Sequence, residues 1–163
     1  MKKYLNIILL LILSSCHTKW HERDSDAYLR LPNLQMLLLD STTTLYTTQL
    51  AEGKATILFY FSPDCEHCQA ETGDLLSNVK VLGNINLVFI SSAPITEIQK
   101  FSHAFNLSQY SSIKVGYDYK FEFYNMYKIS FYPCLIIYNK NRFLEKLYIG
   151  ETEMDKIVKA LRS

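Results

Sequence analysis

The sequence holds only five glycines, four prolines and four cysteines in 163 residues. So few glycines and prolines exclude a collagen-like or low-complexity chain. Four cysteines are too few for a small disulfide scaffold, yet two of them are spaced too regularly to ignore. An excess of one charge is also missing: 17 Lys and Arg stand against 16 Asp and Glu, a formal net charge of +1. That balance gives no reason to propose nucleic acid or a polybasic membrane surface as a partner. No apolar run reaches the ~20 residues of a membrane-spanning helix, and no internal repeat is present. What remains is an ordinary globular composition, 48% hydrophobic and 20% charged, at a length that suits one domain.

Residues 1–15 read as an address and not as fold. Lys2 and Lys3 precede an apolar run that ends in Leu13-Ser14-Ser15-Cys16. Small residues before a cysteine at this distance resemble the bacterial lipobox, in which the cysteine is lipid-modified and the preceding peptide removed. The alternative is an ordinary signal peptide with Cys16 incidental. Under the first reading residues 16–33 are a lipidated N-terminus and polar tether, and residues 34–163 are the folded domain. That domain then faces an oxidising compartment outside the bacterial cytoplasm, periplasm-facing, where disulfides persist.

Residues 55–61 form a continuous apolar and aromatic run bounded by Ser62-Pro63-Asp64, which predicts a strand covered on both faces. A helix over 66–81 follows, with Asp64 as its cap and Gly83 as its end. Further strands are predicted at 34–40, 86–90, 112–115, 134–138 and 143–149, with 41–44 a turn and 139–141 a hairpin turn. Helices are predicted at 96–105, at 120–127, and after Thr152, which caps a stripe of Met154, Ile157, Val158 and Leu161. Helices alternating with buried strands imply an α/β fold, a central mixed sheet with helices on both faces.

The chemistry-bearing run is Cys65-Glu66-His67-Cys68, placed after a buried strand and at a helix start. Cysteines at i and i+3 share one helical face and can form a disulfide. At a helix N-terminus the first is favoured as a thiolate, the attacking species in disulfide exchange. Cys65 is therefore the candidate nucleophile and Cys68 the resolving thiol. His67 adds positive charge near Cys65, while Asp64 and Glu66 oppose it. Half of a zinc site is the rival reading, but Cys134 and His103 are the only further candidates and neither is paired in sequence. No metal and no organic cofactor is expected.

The run Ala55 to Glu71, ATILFYFSPDCEHCQAE, resembles the active-site segment of thioredoxin-fold proteins. Ile129-Ser130-Phe131-Tyr132-Pro133, entering a strand and hairpin, resembles their cis-proline loop. The layout is most similar to membrane-anchored, TlpA/ResA-like thiol–disulfide oxidoreductases and extends over residues 34–161. The resemblance implies a thioredoxin-like three-layer fold and matches Cys65 and Cys68 to the redox pair. It matches Pro133 to the cis-proline that holds substrate backbone. Glu71 matches an acid that serves the resolving thiol in many anchored members; the alternative is a solvated helix carboxylate. Tyr132 is placed to shape the substrate groove. Asp64 departs from the pattern, standing where a tryptophan is usual. Phe59 departs too, standing where thioredoxins keep a buried acid. Cys134, next to Pro133, is either a third redox thiol or a small buried hydrophobe at a strand start.

These observations predict an envelope enzyme that exchanges disulfides with protein substrates and with an upstream redox partner protein. The reducing direction is that of most anchored relatives. The rival is a non-catalytic thioredoxin-like binding module of an envelope complex, its cysteine pair structural. His103 is expected at the surface without a role, and Phe121, Phe123, Tyr124 and Tyr127 are expected to serve packing.

Overall fold

The computed structural model describes residues 28–162, so Cys16 and the signal-like segment lie outside the described residues. The elements are β1 (Gln35–Leu38), β2 (Thr44–Tyr46), β3 (Thr56–Tyr60), α1 (Glu66–Ser77), α2 (Val79–Leu82), β4 (Asn86–Ser91) and α3 (Ile95–Ala104). They continue with β5 (Ile113–Tyr117), α4 (Glu122–Met126), β6 (Cys134–Tyr138), β7 (Leu144–Ile149) and α5 (Met154–Arg162). The seven strands form one mixed sheet in the order β2-β1-β5-β4-β3-β6-β7. β3, β4 and β5 are parallel, whereas β6 and β7 join the other side antiparallel.

The apolar runs explain this arrangement. All five residues of β3 and all five of β6 are buried, as continuous runs demand of central strands. Alternation then divides the core in two. Ile57, Phe59, Phe61, Leu87, Phe89 and Leu135 face one way and pack against α1, α3 and α5. Leu58, Tyr60, Val88, Ile90, Ile136 and Tyr138 face the other way, against α4 and β1. This is the three-layer α/β sandwich that the strand and helix order implies.

The structure corrects four local expectations. The turn at 41–44 leads into a short strand, β2, paired with β1. The helix over 66–81 breaks at Asn78, whose side chain donates to the Asp74 carbonyl and closes α1. Its N-cap is Cys65 and not Asp64, which is bonded instead to the Ser62 hydroxyl. Thr152 does not cap α5: its hydroxyl donates back to the Gly150 carbonyl.

Candidate active site

Cys65 and Cys68 sit where β3 ends and α1 begins. The Cys65 amide donates to Ser62 O at 3.2 Å, tightening the turn, and Gln69 Nε2 ties the Pro63 carbonyl from inside the helix. Cys65 has extended backbone, and its Sγ accepts the Cys68 amide at 3.3 Å. A backbone donor and the N-terminal end of α1 therefore face the Cys65 sulfur. Cys65 is half-buried, Cys68 is fully buried, and both are free thiols. Burial pushes the Cys68 thiol far above its ordinary range, with the Cys65 hydrogen bond and the Cys65 and Glu71 charges adding to the shift. The pair is thus asymmetric: one sulfur reachable, the other held protonated.

Glu71, one turn beyond Cys68, is not a solvated carboxylate. It is fully buried, and neither of its oxygens has a hydrogen-bond partner. Burial raises its carboxyl to about 8, and the charges of Glu151 and Asp74 add to the rise. The nearby Thr152 amide opposes the shift without closing a hydrogen bond. Buried polar groups are normally satisfied, so an orphaned carboxyl beside a buried thiol marks a functional candidate.

The Tyr132–Pro133 peptide is cis. Register places Cys134 opposite Tyr60, so Pro133 lies level with Phe61, at the strand end from which the Cys65 loop springs. The Gly150 amide donates to the Pro133 carbonyl at 2.7 Å and fastens the loop to the end of β7. Tyr132 stacks on Tyr60, with ring centroids 6.0 Å apart and planes at 12°. Phe131 is 70% exposed beside it.

Two residues of this neighbourhood were invisible as such in the sequence. Tyr60 OH donates to Asp118 Oδ2 at 3.0 Å. Asp118 is fully buried at the end of β5, where its carboxylate also accepts the Glu122 and Tyr124 amides at 2.8 and 3.1 Å. Burial raises its carboxyl and these hydrogen bonds oppose the rise. The available signal was a lone acid between an apolar strand and an aromatic helix.

The remaining candidates are placed as follows. His67 Nδ1 lies 3.0 Å from Glu151 Oε2 at the surface, bridging α1 to the segment after β7. Glu66 is exposed at the first position of α1, and His103 is exposed on α3. Cys134 is buried among Leu58, Tyr60 and Ile136, in the core opposite the one holding Cys68. Burial first, and the Glu71 charge second, push its thiol up to about 12. Of the aromatic cluster, Phe123 and Tyr127 are core, while Phe121 and Tyr124 are exposed and meet edge to face.

A strand–CxxC–helix unit facing a cis-proline loop, on this sheet order, defines a thioredoxin-fold protein with the thiol pair of an oxidoreductase. The family model described as Thioredoxin-like matches residues 53–144, and the chain belongs to that family. Solved structures agree in fold. A secreted Mycobacterium tuberculosis disulfide oxidoreductase is 17% identical, with a TM-score of 0.66 over 78% of this chain and 93% of that one. The exposed lipoprotein thioredoxin Etrx1 of Streptococcus pneumoniae is 20% identical, at 0.62 over 80% and 98%. StoA of Bacillus subtilis is 19% identical, at 0.61 over 78% and 94%. No curated protein matches significantly in sequence. Among the described residues no helix is long and apolar enough to cross a membrane.

Proposed function

We propose that the protein is a thiol–disulfide oxidoreductase of the bacterial envelope, lipid-anchored through Cys16 and acting as a reductant of protein disulfides. The observation that carries this reading is the orphaned Glu71 carboxyl one helical turn from the buried Cys68 thiol. A structural disulfide needs no such group. A resolving thiol that burial keeps protonated does.

Cys65, as thiolate, attacks a substrate disulfide, forming a Cys65–substrate disulfide and releasing one substrate thiolate. Glu71, ionised, takes the Cys68 proton. The Cys68 thiolate attacks Cys65 Sγ, the second substrate thiolate leaves, and the Cys65–Cys68 disulfide forms. Two electrons pass to the substrate. A reduced partner protein restores the dithiol by the reverse exchange, so no metal or organic cofactor enters. Pro133 and Tyr132 border the sulfur and hold the substrate chain, while His67, drawn to Glu151, and Glu66 set the local field.

Cys68→Ser should accumulate a mixed disulfide with a protein substrate, and Cys65→Ser should accumulate none. The likeness to a disulfide oxidoreductase described as secreted and to a thioredoxin described as an exposed lipoprotein supports the location. Failure of Cys68→Ser to trap any protein, with a wild-type pair that never exchanges, would leave the binding-module reading in its place.

A further inference from the structure

The hairpin end of the sheet, opposite the thiols, carries a feature that net charge conceals. A cleft of about 370 Å³ opens between the start of β3, α2, the β6–β7 turn and the end of α5. Its lining includes Lys54, Lys140 and Arg162 together with Asn84 and Asn141, and no acidic side chain. None of these three cations forms an ion pair among the described residues. Of the acids at this end, Glu52 faces Arg142, Glu145 accepts from Asn139, and Asp155 lies outside the cleft, lining the adjoining hollow with Arg162. Apolar side chains are exposed at the same end of the sheet. Val81 in its lining is 55% exposed, and Phe143 and Leu29 are about half exposed, with Arg30 over the Phe143 ring.

Lys140 and Arg162 are exposed and Lys54 is half-buried; cations beside exposed apolar groups are the chemistry of an interfacial surface. The chain leading back toward Cys16 joins the fold at this same end, where Leu29 O accepts the Leu144 amide. β3 alone sets the thiols roughly 17 Å from it. We propose that the hairpin end is a docking face for an anionic lipid surface, with Lys54, Lys140 and Arg162 taking lipid phosphates. The domain then rests on the bilayer with Cys65 turned away, toward substrates in the aqueous compartment. This inference rests on the reading that the protein works at a membrane, and not on the chemistry of Cys65.

The test is amide hydrogen exchange of the full chain with vesicles. Phosphatidylcholine–phosphatidylglycerol vesicles should slow exchange around 53–55 and 139–143 and leave 62–67 unaffected. Pure phosphatidylcholine should protect neither. Each cation reversed should weaken vesicle affinity about fivefold, so Lys54→Glu with Lys140→Glu should lose more than tenfold. Raising NaCl should release the face without any substitution. An unprotected hairpin in the anionic vesicles, or protection centred on 62–67, would overturn the proposal. Equal protection by inorganic phosphate alone would assign the cleft to a soluble anion and overturn the lipid face. The mass of the mature N-terminus tests the anchor separately. An unlipidated chain with a protected hairpin sinks the anchor and upholds the face; a lipidated chain with an unprotected hairpin does the reverse.

Discussion

Glu71 and Asp118 are both fully buried carboxyls near the thiol site, on opposite sides of the sheet, and the fold treats them differently. Asp118 receives two backbone amides and the Tyr60 hydroxyl. Glu71 receives no hydrogen bond. A carboxylate with three donors is part of the architecture: it closes the β5–α4 turn and steadies Tyr60 beneath Tyr132. A carboxyl with none is costly to ionise, and its position one turn from Cys68 gives that cost a use. Burial alone therefore does not separate a structural acid from a working one; the count of donors does.

The contrast can be broken first with pH. Glu71 has an ordinary value of 4.5 and sits at about 8 in the fold. Between the two, the folded chain holds a proton that the unfolded chain has released, so stability falls as pH rises through that window. Asp118 is shifted in the same direction, so it contributes a loss of the same sign as pH rises above its ordinary value of 3.8. Urea unfolding across the window should show a loss of several kcal/mol in the wild type, and Glu71→Gln should remove most of it. A pH-independent wild type would refute the orphaned state of Glu71.

Next in size is Asp118→Ala, which strands three donors and should cost about 3 kcal/mol of unfolding free energy. The folded variant should keep its pH dependence of exchange. If resolution by Cys68 lost its pH dependence in this variant, the two acids would not differ as described. Tyr60→Phe removes one donor and keeps the ring stack, so it should cost about 1 kcal/mol in the same measurement. Smallest of all is Glu151→Gln. His67 and Glu151 are exposed, and surface pairs of this kind contribute about 0.5 kcal/mol or less. A thermal melt should barely move.

The sequence exposed what is local and hid what is distant. Cys65 and Cys68 are three residues apart and follow an unbroken apolar strand, so the thiol pair and the sheet around it could be read directly. Pro133 came through resemblance, and the cis peptide agrees. The cap of α1 could not be read, because Asp64 and Cys65 both offer an acceptor and Ser62 claims the first. Three-residue β2 exists only through its pairing with β1. The burial of Glu71 has no local signal, since the segment after β7 helps to enclose it. Asp118 meets Tyr60 across 58 residues, and the hairpin-end cations come from three separate elements. A near-neutral composition averages that cluster away.

The central claim is that Glu71 removes the Cys68 proton. It is tested most directly by single-turnover resolution of a Cys65–peptide mixed disulfide, followed against pH. The wild-type rate should rise with an inflection near Glu71's value of about 8. Glu71→Gln should abolish that inflection and slow resolution at neutral pH by about 10²-fold or more. An unchanged rate with an unchanged pH profile in Glu71→Gln would contradict the account.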